Sequence, residues 1–171
     1  MINRRNALSL MSAATLPALS APTTVWASGP REIIWDELIP AGVPYSEIIG
    51  EGEMDIANDT WVPVYDENGF KMNEALEGAL IKMPGFIVPF ESTDAGITEF
   101  LLVPYFGACI HMPPPPANQL VMVTTKTPWV TESLWDPVWV TGHMSLHLQS
   151  TTLGQAGYAL DAEGIEIYLW E

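Results

Sequence analysis

The sequence predicts a mainly β fold, a small antiparallel barrel that follows an irregular acidic N-terminal segment. The second half of the chain consists of short runs of β-branched, aromatic and alternating apolar residues separated by Pro and Gly, a pattern typical of strands. No strand–helix–strand rhythm occurs, which argues against a parallel α/β sheet. Because 48% of the 171 residues are hydrophobic, the chain has enough apolar side chains for the core of one domain, and intrinsic disorder is excluded.

We expect strands over residues 80–88, 99–103, 119–124, 138–148 and 157–169. Gly142 lies inside the fourth run and predicts a bulge or a sharp bend there. The pair Glu163-Gly164 predicts a break in the last run. Five short strands at this spacing favour an OB-like barrel.

Residues 1–27 are expected to be an export signal. Arg4 and Arg5 precede an apolar run over residues 7–21, and Ala27 ends a small-residue cleavage site. The paired arginines resemble a twin-arginine signal, and an ordinary secretory peptide accounts for them equally well, so both export routes stay open. No later apolar run reaches the roughly 18 to 20 residues of a membrane-spanning helix, so we expect a periplasmic protein with no transmembrane anchor in the mature chain.

The charge of the chain limits its partners. The net charge is −15, from 6 basic and 21 acidic residues, which excludes nucleic acid as a partner because such a partner requires a basic face. Residues 28–77 are acidic and irregular, and the spacing of Asp55 and Asp59 fails the pattern of a calcium loop. A solvated acidic face is the better interpretation. The predicted organisation is therefore a signal over 1–27, an acidic segment over 28–77 and a β domain over 78–171.

The candidate metal ligands lie close together in one loop. If the chain is extended there, alternation puts the side chains of Cys109 and His111 on one face, about 6.5 to 7 Å apart. A thiolate and an imidazole suit Zn(II), and the thioether of Met112 would suit Cu(I). His143 and His147 are weaker candidates. A buried, inert cysteine beside a loop histidine explains the pattern as well, so that alternative stays open.

Four prolines at residues 113–116 follow directly and form a stiff polyproline segment. This segment is either a strut or a rigid contact surface for a partner protein. No G-x-S-x-G, H-E-x-x-H or phosphate-loop pattern occurs, so the sequence favours a protein that is not an enzyme.

The stretches over residues 83–89, 100–119, 137–142 and 156–158 together resemble a known family, with GACIHMPPPPANQ at residues 107–119 the most specific part. The family is DUF3299, and the resemblance covers about residues 78–168. It implies an exported protein, soluble or lipid-anchored, with no established activity. In some bacteria the family's genes resemble accessory components beside ABC-transporter permeases under zinc-responsive control, so the resemblance also implies metal trafficking. The family pattern falls on Gly107, Cys109, His111, Pro113, Pro114, Asn118 and Gln119, whereas His143 departs from it.

Three functional hypotheses follow, of which the last is a cysteine-dependent enzyme that uses Cys109 with a base other than His111. The first is a zinc-binding accessory of an ABC-transporter system, with Cys109 and His111 as ligands and Zn(II) preferred to Cu(I). The second is a non-catalytic binding module without metal, whose rigid loop contacts a transporter permease or another envelope protein. Its predicted contact surface consists of Gly107, Pro113, Pro114, Asn118 and Gln119.

Overall fold

The structure is a computed structural model that describes residues 29–56, 60–90, 93–108, 113–131, 133–134 and 136–169. Its strands are β1 (Arg31–Glu32), β2 (Glu53–Asp55), β3 (Thr60–Val62), β4 (Leu80–Pro89), β5 (Ile97–Val103), β6 (Val121–Trp129), β7 (Val138–Thr151) and β8 (Gly154–Ile167). Short 3₁₀ helices cover Trp35–Leu38, Glu67–Phe70, Glu74–Leu76 and Ala117–Gln119. Within these described ranges, no helix has the length and apolar character needed to cross a membrane.

Five strands close into a barrel, which confirms the predicted fold class. The strand order is β4-β5-β6-β8-β7, and β7 pairs back onto β4 to complete the circle. The pairing of β6 with β8 is parallel and the other barrel pairings are antiparallel. A five-stranded closed barrel of this kind is OB-like. The short strand β1 pairs in parallel with Ile81 and Lys82 of β4, before the part of β4 that pairs with β5.

The alternation of side-chain direction along each strand explains which residues fill the barrel interior. On β7 the side chains of Val138, Val140 and Met144 are buried, while His143 between them is exposed. The register between β7 and β8 shifts at this point, because Thr141 pairs with Gly164 and Gly142 pairs with Ala162. The extra residue of the bulge is therefore Glu163 of β8, opposite Gly142, and not a residue of β7 as the sequence predicts. A Cβ atom at Gly142 would lie 2.3 Å from the Asp161 carbonyl oxygen, so this close approach of two backbones requires glycine. β8 continues through the predicted break at residues 163–164 as one bulged strand.

The acidic N-terminal segment is irregular, as predicted, and packs into the barrel core. Ile33, Leu38 and Leu76 are at most 1% exposed and join the same apolar cluster as the inward-facing barrel residues. The buried Tyr158 hydroxyl on β8 donates a hydrogen bond to the Leu38 carbonyl oxygen and accepts one from the Asn73 amide at 2.6 Å. The segment is therefore part of the same packed unit as the barrel.

The loop after β5 covers the opposite face of β5 and β6. Leu101 and Met122 belong to a second apolar cluster, which Ala108 and Leu120 complete from the loop side. Leu101 is buried on this outer face while its neighbour Leu102 is buried in the barrel, so both faces of β5 are covered. This packing fixes the ends of the loop that carries the polyproline segment.

Candidate functional site

The polyproline segment, residues 113–116, is held in place by burial and hydrogen bonds and is called the polyproline wall below. Pro114 and Pro115 are buried, and Pro116 has φ −63° and ψ 159°, close to polyproline II geometry. The Tyr65 hydroxyl donates a hydrogen bond to the Pro114 carbonyl oxygen at 3.0 Å. A longer hydrogen bond, at 3.5 Å, joins the Tyr105 hydroxyl to the carbonyl oxygen of Pro113. The prolines therefore present a stiff surface with little conformational freedom left to lose.

Asn118 and Gln119 bind the acidic segment to this wall. Asn118 is 1% exposed, and its Nδ2 donates to the carbonyl oxygens of Asn68 at 2.8 Å and Lys71 at 3.1 Å. Its Oδ1 is buried, and none of the described residues forms a hydrogen bond with it. The Gln119 Nε2 donates to the Trp35 carbonyl oxygen at 3.1 Å. Both side chains thus replace the ladder hydrogen bonds that the irregular segment lacks.

The part of the acidic segment that faces the polyproline wall is held by hydrogen bonds of its own. The Asp66 Oδ1 accepts hydrogen bonds from the Asn68 amide and the Ser46 hydroxyl, each at 3.0 Å. Desolvation opposes ionisation of Asp66, but the hydrogen bonds from Ser46, Asn68 and the backbone outweigh it and hold its pKa below the usual value. A Cβ atom at Gly69 would lie 2.9 Å from the Pro116 Cβ, so glycine permits the segment to lie directly against the prolines.

A cleft of about 730 Å³ opens where these elements meet the tip of the β7–β8 hairpin. The hairpin tip is fixed by the Thr151 hydroxyl, which donates to the Gly154 carbonyl oxygen at 2.7 Å and accepts from the Leu153 amide. The volume lies in the range of ligand-binding clefts. The lining consists of Asp55, Val62–Tyr65, Phe70, Pro114–Ala117 and Ser150–Gln155.

The residues predicted as primary metal ligands, Cys109 and His111, lie outside the described residues, as does Met112. The two weaker candidates are described, and both are exposed on β7. The His143 Nε2 lies 3.4 Å from a carboxylate oxygen of Glu163. Over the part of the chain that the structure covers, no group of three or more His, Cys, Asp or Glu side chains is placed to hold a metal ion.

The predicted contact-surface residues differ in their positions relative to the cleft. Pro114 lines the cleft, while Pro113 is half-buried beside it. Gly107 is half-buried with φ 82°, a left-handed conformation that favours glycine. Asn118 and Gln119 face the acidic segment, to which they donate the hydrogen bonds described above.

Sequence reasoning missed the other two walls of the cleft. Val64 and Phe70 lie in the acidic segment, far in sequence from Leu153, and no spacing rule joins them to it. A signal was present in the acidic segment, where large apolar residues occur without strand or helix periodicity. Val64 at 43% exposure and Phe70 at 41% are examples that line the cleft.

Comparison with known proteins identifies a family and a similar solved structure. The model of a family described as "Protein of unknown function (DUF3299)" matches residues 35–167, which includes most of the acidic segment. The crystal structure of a DUF3299 family protein from Pseudomonas aeruginosa PAO1 is 39% identical, with a TM-score of 0.68 over 84% of this chain and 99% of that one. No curated protein matches the chain.

Proposed function

The chain belongs to the DUF3299 family, and from that premise we propose that it is a non-catalytic binding module whose cleft receives part of a partner protein. The family name carries no activity, so the proposal rests on the site. The observation that carries it is the cleft of about 730 Å³ between the polyproline wall, the acidic segment and the β7–β8 hairpin.

The walls of the cleft favour binding because they are fixed before any partner arrives. The prolines have restricted backbones, Tyr65 is hydrogen-bonded to Pro114, and Thr151 holds the hairpin tip. A preorganised site loses little conformational entropy when it binds, so a cleft of modest size supports useful affinity. Three lining residues, Val62, Val64 and Phe70, keep between 38% and 43% of their surface exposed and thus available for burial.

The predicted export signal and the family resemblance indicate where the partner lies. An exported chain meets other envelope proteins, and the resemblance favours an ABC-transporter permease among them. We therefore propose a periplasmic protein whose cleft contacts a transporter permease or another envelope protein.

Site-specific cross-linking in the producing bacterium tests this proposal. A photoreactive residue replaces Val64 in the cleft, and in a matched strain it replaces Val130, which is 73% exposed and lies outside the cleft. We expect one discrete cross-linked partner from position 64 and none of the same mass from position 130. Identical patterns from the two positions would contradict the proposal.

Zinc binding is the second candidate function, with Cu(I) as the alternative metal. Cys109 and His111 supply a thiolate and an imidazole within one short loop, and the hydrogen bond between Tyr105 and Pro113 ties the base of that loop. In this proposal Met112, His143 and His147 are weaker candidates for a further ligand.

A metal titration separates the two candidates. Zn(II) and Cu(I) are titrated into the reduced protein and into Cys109→Ser, His111→Ala and, as a control at an exposed position without a candidate ligand, Val130→Ala. Tight binding of one equivalent, lost in the first two variants and kept in the third, is the expected result for a zinc site. Weak binding that none of the substitutions changes would contradict it and leave the cleft as the functional site.

A further inference from the structure

The charge around the cleft is strongly one-sided. Between Arg31 and Lys71 the chain contains ten Asp and Glu residues and no Lys or Arg. Asp55 from this segment lines the cleft, and among the described lining residues none carries a positive charge. An occupant with a positive charge is therefore attracted to the cleft, whereas phosphate groups and other anions are repelled.

The same surface is also apolar. Val62, Val64 and Phe70 all line the cleft and are 38%, 43% and 41% exposed. Exposed large apolar residues that lie close together mark interaction surfaces on soluble proteins. An occupant must therefore offer apolar side chains as well as positive charge.

Aromatic rings strengthen the preference for a cation. Tyr65 and Phe70 both line the cleft, together with the Asp55 carboxylate. The face of an aromatic ring attracts an ammonium or guanidinium group, and a nearby carboxylate adds to that attraction. A second copy of this chain is disfavoured as occupant, because two chains of net charge −15 repel each other.

We propose that the cleft binds an extended peptide segment of a partner in which apolar side chains alternate with Lys or Arg. This inference rests on the proposed binding function of the cleft and gives the partner segment its chemistry. In an extended segment, successive side chains point to opposite sides. The apolar side chains then contact the prolines, Val64 and Leu153, and the basic side chains face the Asp55 carboxylate.

Peptide binding to the full chain tests the inference. Three labelled peptides of equal length, in which leucine alternates with lysine, serine or glutamate, are titrated and followed by fluorescence anisotropy. We expect the leucine–lysine peptide to bind most tightly. Val64→Ser should weaken it about fivefold by removing apolar lining, and Asp55→Asn about threefold by removing the carboxylate. The matched controls Val130→Ser and Asp136→Asn, at exposed positions outside the cleft, should leave its affinity unchanged.

Two results would overturn the inference. Equal affinities for the leucine–serine and leucine–lysine peptides, both weakened by Val64→Ser, would remove the charge preference while leaving a peptide-binding cleft. Equal weakening of the leucine–lysine peptide by the cleft variants and by their controls would show attraction to the overall negative charge instead of to this cleft. Loss of the cellular cross-link at Val64, by contrast, contradicts the proposed function and not the charge of the peptide.

Discussion

The barrel and the acidic segment hold their shapes by different means. The barrel strands are joined by regular ladders of backbone hydrogen bonds, and their inward side chains, such as Leu102, form the core. The segment before β4 has few ladder bonds, and the side chains of Tyr158, Asn118 and Gln119 hold it by bonding to its backbone. The cleft lies along the junction between these two regions.

This difference has a functional consequence. A ladder is robust, because the loss of one side chain leaves its backbone bonds intact. A segment held by a few polar side chains depends on each of them, since each bonds to backbone groups that lie outside the strand ladders. Substitutions in the polar contacts should therefore alter the cleft while the barrel persists, and substitutions in the core should affect both.

The largest effect is expected in the barrel core. Leu102→Ala should lower the free energy of unfolding by about 2 to 5 kcal/mol, because it leaves a cavity around a side chain that is 0% exposed. Urea denaturation followed by tryptophan fluorescence measures this loss. Leu148→Ala is the matched control at 50% exposure and should cost less than about 1 kcal/mol. Similar losses for both variants would contradict the assigned core.

The second prediction concerns the contact between the loop and the acidic segment. Asn118→Ala should cost about 2 to 3 kcal/mol, because the carbonyl oxygens of Asn68 and Lys71 lose their shared donor. Hydrogen exchange should accelerate around residues 68–73 and remain unchanged in β4. Gln155→Ala removes an exposed amide and is expected to change neither stability nor exchange. Acceleration throughout the barrel would show that the two regions do not respond separately.

Tyr158→Phe should cost about 1 to 2 kcal/mol, because the buried hydroxyl bonds to both Leu38 and Asn73. Burial raises the pKa of Tyr158 from 10.0 to about 12, so the folded chain holds this proton more tightly than the unfolded chain does. The stabilisation is complete below about pH 10 and is lost as the pH rises through about 12. Unfolding free energies measured across this range should fall more steeply for the native chain than for Tyr158→Phe, and parallel curves would contradict this assignment.

The smallest effect is expected on the outer face of the barrel. Lys82 forms an ion pair with Glu166, and its Nζ lies 5.0 Å from the centre of the Trp139 ring. Glu166→Gln should cost less than about 1 kcal/mol, because the carboxylate is 61% exposed and screened by solvent. Denaturation at low and high salt checks this, since the difference between native chain and variant should shrink with salt. A loss of unfolding free energy as large as that of Asn118→Ala would contradict the expectation that polar contacts at the junction stabilise the protein more than those on the surface.

The barrel was predictable because its strands carry a local signal. The expected run over residues 80–88 corresponds to β4, and those over 138–148 and 157–169 correspond to β7 and β8. Alternating apolar residues mark each strand within a few residues of sequence, whereas the bulge predicted at Gly142 lies on the facing strand, at Glu163. The parallel pairing of β6 with β8 has no such local signal, because it depends on how distant strands close the circle.

The cleft was not predictable from the sequence, because it too depends on contacts between distant parts of the chain that leave no local signal. Its walls join residues near 64, 115 and 153, and the contacts between them are single hydrogen bonds such as that of Tyr65 to Pro114. Asn118 and Gln119 were predicted as a partner surface from the family resemblance, but nothing local shows that their amides face the acidic segment. The sequence indicates that such residues matter, and only the fold shows what they contact.

Amide exchange at Asn73 tests the central claim, that the acidic segment is fixed to the barrel, most directly. This amide donates to the buried Tyr158 hydroxyl and lies in the irregular segment, outside any strand ladder. We predict that NMR will show it exchanging as slowly as the barrel amides of β4, and much faster in Tyr158→Phe. Exchange in the native chain at the rate of an exposed loop would contradict a fixed segment, and with it the cleft that the segment helps to form.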